Sequence, residues 1–110
     1  MRTKKKSEWK LLGTFGVDSG QVMIVDPCYL DTFESNEFTA NDKDKTRTKE
    51  FSYDGACRET ISEDQGGELG RAIAVVSTTG YGDGLYEVHA LFSDEGNWGK
   101  RIKELRIKFF

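Results

Sequence analysis

The stretch Gly80-Tyr-Gly-Asp-Gly-Leu-Tyr-Glu-Val-His-Ala-Leu-Phe92 passes from a glycine-dense loop directly into the clearest alternating pattern in the chain. Tyr86, Val88, Ala90 and Phe92 fall on one face and Glu87 and His89 on the other, the period of two expected of a half-buried strand. One face of this strand therefore belongs to a core. Gly80, Gly82 and Gly84 occupy alternate positions, and Asp83-Gly84 is a favoured pair where the backbone takes a positive φ, expected here at Gly84. The simplest reading is a tight turn that launches the strand. The functional reading is a loop whose uncovered backbone N–H groups touch a ligand or partner. Thr78 to Asp83 also looks like a potassium-channel filter, but such a filter needs flanking spans of about 20 apolar residues. The longest apolar run, Ala72 to Val76, is far too short, so no membrane role is expected.

Working outward, Arg71 to Ser77 is apolar on both faces and is entered through turns at Gly66-Gly67 and Gly70. Cys57 to Ile61 reads as a polar, edge-like strand and is expected to pair with it as a hairpin. Phe51-Ser-Tyr53 alternates and Asp54-Gly55 interrupts. Val22 to Val25 reads as a central strand that ends at Pro27, because proline donates no ladder hydrogen bond. Trp9, Leu11, Leu12, Phe15 and Val17 form an extended stretch broken at Gly13, and the turn Asp18-Ser19-Gly20 predicts a hairpin with the strand that follows.

Toward the other end, Ser93 to Gly99 is a turn cluster. Leu105, Ile107 and Phe109 then alternate with Arg106, Lys108 and Phe110 in a last strand. Ile102 is one residue out of that register, which predicts a bulge near Lys103 and Glu104. No helix is expected. The fold class is mainly β: one small antiparallel β-sandwich or barrel of about six to seven strands spanning 1–110, with a basic tail at 1–7 and a long polar loop at 31–50. A loop of that length is a candidate partner surface. Asp42 and Asp44 within it lack the glycine and distal glutamate of a calcium-binding EF-hand loop.

Composition bounds function. The chain has 110 residues, 12 glycines, one proline and a formal charge of −3, from 16 basic and 19 acidic residues, so no global field advertises nucleic acid or membrane. Cys28 and Cys57 are too few and too far apart for a disulfide framework, and a single histidine leaves little to ligate metal. Free thiols are expected, with no metal or cofactor. Lys4 to Lys6 precede no apolar segment, which predicts neither signal peptide nor anchor and hence a cytoplasmic protein.

Two stretches together resemble a family of bacterial and phage domains of unknown function. They are Gly16-Val-Asp-Ser-Gly20 followed by Asp26-Pro-Cys-Tyr29, and Gly80-Tyr-Gly-Asp-Gly-Leu-Tyr86 with a closing strand at Ile102 to Phe110. The chain departs from that family in its charged insertion at 41–49 and its basic last strand. The resemblance implies a compact β fold and phage or prophage origin, hence the cytoplasm of a bacterial host, and carries no established activity.

The candidate binding residues are Asp18, Asp26, Tyr29, Gly82, Asp83, Gly84 and Tyr86. Each aspartate beside a glycine can simply cap its own turn. Brought together at one rim they would form a polar pocket for a cationic or hydroxyl-bearing ligand. The leading expectation is a non-enzymatic binding protein that contacts a host macromolecule or small ligand through its loops. One competing reading is a hydrolase with Cys28 as nucleophile, His89 as base and an aspartate as orienter. The other is nucleic-acid binding through Lys4 to Lys6, Lys100, Arg101, Lys103, Arg106 and Lys108, with Trp98 as a stacking ring.

Overall fold

A computed structural model describes residues 8–39 and 48–110. The basic tail and the centre of the polar loop, with Asp42 and Asp44, lie outside the described residues. Six strands form two three-stranded antiparallel sheets, a sandwich-like arrangement rather than a closed barrel. Strands β1 (Glu8–Val17), β5 (Gly84–Asp94) and β6 (Lys100–Ile107) make the first sheet in the order β1-β5-β6. Strands β2 (Gln21–Val25), β3 (Gly66–Leu69) and β4 (Ala74–Thr78) make the second in the order β2-β4-β3.

The organising stretch behaves as its alternation dictates. Tyr86 and Ala90 are buried, and Val88 and Phe92 are half-buried on the same face. The bulge falls where Ile102 requires it: Leu91 pairs with Glu104 and Phe92 with Ile102, leaving Lys103 as the extra residue of β6. A second irregularity leaves Leu12 unpaired in β1, between Leu11 opposite His89 and Gly13 opposite Val88.

Three expectations need correction. First, β1 and β2 do not form a hairpin, because β1 pairs with β5 and β2 pairs with β4. The turn Asp18-Ser19-Gly20 carries the chain from one sheet into the other. Second, β2 is an edge strand, and its Ile24 is 64% exposed, so an apolar run there does not mean burial on both faces. Third, Cys57 to Ile61 is not a strand: Tyr53–Thr60 is a helix, α1, and β4 takes its hairpin partner from Gly66–Leu69 instead.

Helix α1 is nucleated by local chemistry. Ser52 has an extended backbone, and its hydroxyl accepts a hydrogen bond from the Gly55 amide at 2.9 Å, an N-cap. Asp54 in the first turn and Arg58 in the last suit the helix dipole and pair at 2.7 Å across one turn. Its buried side includes Ala56 and Cys57, and Ala56 joins Phe51, Leu69, Ala74 and Val76 in the main core cluster. Met23, Val25, Phe33 and Ile73 pack around that cluster, so the core lies between the second sheet and α1.

The described part of the polar loop is tied down. Pro27–Thr32 is a 3-10 helix, Glu34 bridges Ser52, and the Asn36 side chain accepts from the Asp54 amide at 2.8 Å. Phe38 lies under the Arg58 guanidinium at 5.7 Å, so residues 34–39 form a strap across α1.

Candidate functional site

Two loops carry the chain between the sheets, and they run side by side. The Thr79 amide donates to the Gly20 carbonyl at 3.1 Å, and a β-carbon on Gly20 would stand 3.9 Å from the Gly82 Cα. The turns at Asp18 to Gly20 and at Thr79 to Asp83 are thus the paired crossings of one junction. Gly80 and Gly82 take φ of 71° and 99°, which glycine adopts freely. A β-carbon on Gly80 would also come within 2.8 Å of the Phe110 ring. Gly84 has φ 156°, the positive value expected of it, so a side chain there would be strained even though a β-carbon would meet no atom closer than the Tyr86 hydroxyl at 3.7 Å.

Tyr86 locks this loop from below. Its buried hydroxyl lies 2.6 Å from the Gly82 carbonyl and 3.1 Å from the Thr79 carbonyl, with the Thr79 hydroxyl also donating to Gly82 at 2.6 Å. Phe109 meets the Tyr86 ring edge-to-face at 5.4 Å. Tyr86 therefore works as an anchor rather than a ligand group. Tyr86→Phe should lower stability by about 1–2 kcal/mol, since Gly82 keeps the Thr79 bond while Thr79 loses a buried partner. Chemical denaturation checks this, and an unchanged midpoint would mean that water replaces the phenol.

The seven candidate residues do not all meet. Asp18 and Asp83 sit on adjoining crossings, both exposed. Asp26 lies beyond the far end of the five-residue β2, about 17 Å along the strand. There it caps the 3-10 helix, accepting from the Cys28 amide at 3.0 Å. Tyr29 is exposed in the same 3-10 helix.

The hydrolase constellation is dispersed as well. Cys28 and Cys57 are free thiols. Cys28 follows β2 of the second sheet, whereas His89 stands mid-strand in β5 of the first, 3.8 Å from the Glu87 carboxylate. Local desolvation and then the Asp26 carboxylate push the Cys28 thiol up, away from the thiolate a nucleophile needs.

The cross-strand register assembles a different set of groups. In antiparallel sheets directly opposed residues share a face. Leu11, His89 and Arg106 form one such row, and Trp9 opposite Leu91, Thr14 opposite Glu87 and Gly16 opposite Leu85 stand on the same face. This outer face of the first sheet holds a cleft of about 630 Å³ whose lining includes Trp9, Thr14, Glu87, His89, Arg106 and Lys108. The Arg106 guanidinium stacks over the Trp9 ring at 3.9 Å. The Glu87 carboxylate is turned toward His89, and among the described residues neither Arg106 nor Lys108 has a carboxylate at ion-pair distance. The cleft can therefore receive negative charge beside an aromatic ring.

The basic last strand contributes to this cleft as its composition suggests. Trp98 does not line it: it sits 75% exposed in a 3-10 turn, its carbonyl accepting from Arg101 Nε at 2.8 Å. Trp9 is the ring in place. It reads from sequence only as the start of a strand, and the signal that would have found it is the pairing of β1 and β6 on either side of β5. No family model, no curated protein and no solved structure matches the chain.

Proposed function

We propose that this protein is a non-enzymatic binding module that takes an anionic partner on the outer face of the β1-β5-β6 sheet. The observation that carries this reading is the cleft itself, where Arg106 and Lys108 stand without carboxylate partners among the described residues. Charge distribution supports it. Carboxylates dominate from Asp18 to Glu68, where Lys49 and Arg58 are the described cations, whereas Lys100, Arg101, Lys103, Arg106 and Lys108 face only Glu104 within the last strand and its extension. A modest net charge thus conceals two poles, and the basic one coincides with the cleft.

The same geometry favours binding over catalysis. Cys28 lies in the 3-10 helix after β2 and His89 in β5 of the other sheet, and the glycine-loop carbonyls of Thr79 and Gly82 are already engaged by Tyr86. Fluorescence anisotropy with a labelled polyanion is the test. Binding should weaken steeply as salt rises from about 50 to 200 mM. Arg106→Gln with Lys108→Gln should weaken it about tenfold or more at low salt without moving the melting temperature, since both side chains lie at the surface. Equal affinity of this double variant and the wild type would reject the site.

A further inference from the structure

Building on the anionic-partner reading, we infer that the cleft holds single-stranded nucleic acid, with a base on the Trp9–Arg106 stack and its phosphates on Arg106, Lys108 and the cations of β6. Charge alone would suit any polyanion. What separates the possibilities is the apolar and planar surface beside the charge. Trp9 supplies a ring, the guanidinium plane of Arg106 extends the stack at 3.9 Å, and Leu85, 78% exposed, gives an uncovered apolar wall to the same cleft. An acidic peptide offers carboxylates but nothing that such a platform recognises. A single strand offers both phosphates and free base faces, the two features that aromatic-and-cation surfaces bind without regard to sequence.

Duplex is a poorer fit, because its base faces are already stacked and only its phosphates would reach a shallow sheet face. The track has the right extent. From Lys100 to Lys108 the last strand and the residue after it cover about 27 Å at strand rise, and Arg101, Arg106 and Lys108 fall on the cleft side, with Lys103 at the bulge and the opposing charges Glu104 in the strand and Glu87, turned toward His89, in the cleft. The carboxylates of the loops and helix between Asp18 and Glu68 would disfavour a phosphate backbone on that part of the molecule.

The experiment uses the full chain carrying Trp98→Phe, so that Trp9 is the remaining tryptophan and its emission reports on the cleft. Three probes of matched charge are titrated at low salt: a mixed-sequence single strand of roughly 12 nucleotides, the duplex of the same sequence, and polyglutamate. The single strand should bind saturably, quench Trp9 and bind about tenfold tighter than the other two. Arg106→Gln should weaken it about tenfold. Followed by anisotropy of a labelled strand, since these variants lack the reporting ring, Trp9→Leu should weaken binding by a similar factor, with Trp9→Phe restoring most of the affinity, a rescue that lost charge or lost folding would not produce.

If polyglutamate or duplex binds as tightly as the single strand, the single-strand inference is overturned while the anionic-partner reading stands. If none of the three binds at low salt, both fall. A single strand that binds with Trp9 emission unchanged, or with equal affinity to the Arg106→Gln protein, overturns the placement in this cleft.

Discussion

Gly55→Ala is expected to remove a large share of the protein's stability, the reverse of what this substitution does in an ordinary helix. Within a helix, alanine is better than glycine by about 1 kcal/mol, because glycine loses more backbone freedom on folding. At this position a β-carbon would stand 1.9 Å from the Glu50 carbonyl oxygen, 2.8 Å from its carbon and 3.0 Å from its nitrogen. The obstacle is backbone, so no rotamer change relieves it. Nor can Glu50 withdraw cheaply. Its carbonyl accepts from the Ser52 amide at 2.8 Å, Ser52 caps the helix, and the preceding Lys49 carbonyl accepts from Gly70 at 2.7 Å. Either α1 lifts from the core or the segment beneath it is displaced, at a cost of about 3 kcal/mol or more, a large share of the roughly 5–15 kcal/mol that holds a domain folded. Urea denaturation of Gly55→Ala beside Gly13→Ala makes the comparison, since a β-carbon on Gly13 meets nothing within 4 Å. A Gly55→Ala protein as stable as wild type would mean that α1 does not lie where it is described.

The same helix marks the limit of what could be read from the chain. Alternation placed β5 and its buried face, and the offset of Ile102 placed a bulge, because in both cases each side chain's direction follows from a period of two. Helix α1 has no such signature. It is eight residues long, contains Tyr53, Asp54, Gly55, Cys57 and Thr60, none a strong helix former, and sets a glycine where a capping box would have glutamate. Its stability comes from packing against the second sheet, which no local propensity encodes. The turn at Asp18 was legible, but whether it closes a hairpin or crosses between sheets depends on partners far away in the chain. The cleft was hidden for the same reason. Trp9 and Arg106 are almost a full chain length apart and meet only because β5 lies between their strands.

Asp54→Ala should be the other severe substitution, and its severity should depend on Arg58. The Asp54 side chain is fully buried and that of Arg58 is 13% exposed, with Oδ2 and Nε 2.7 Å apart. Desolvating both charges is costly, so the pair need not add much to stability in comparison with a well-packed apolar pair. Removing one partner is different: it takes the Asp54 carboxylate from a largely buried guanidinium, and breaking a buried pair in this way typically costs about 3–5 kcal/mol. The loss should also reach the strap, because Phe38 rests under Arg58. Asp54→Ala should therefore lower the denaturation midpoint strongly and expose the segment around Phe38 to proteolysis. In Arg58→Met with Asp54→Ala both charges of the pair are gone, and Met keeps an unbranched chain against Phe38. The double variant should recover stability relative to the sum of the single losses, with a coupling of about 1 kcal/mol or more. Strictly additive losses would show that Asp54 acts on the helix through something other than Arg58, leaving its place in the first turn, where a carboxylate favours the helix dipole, as the whole of its contribution.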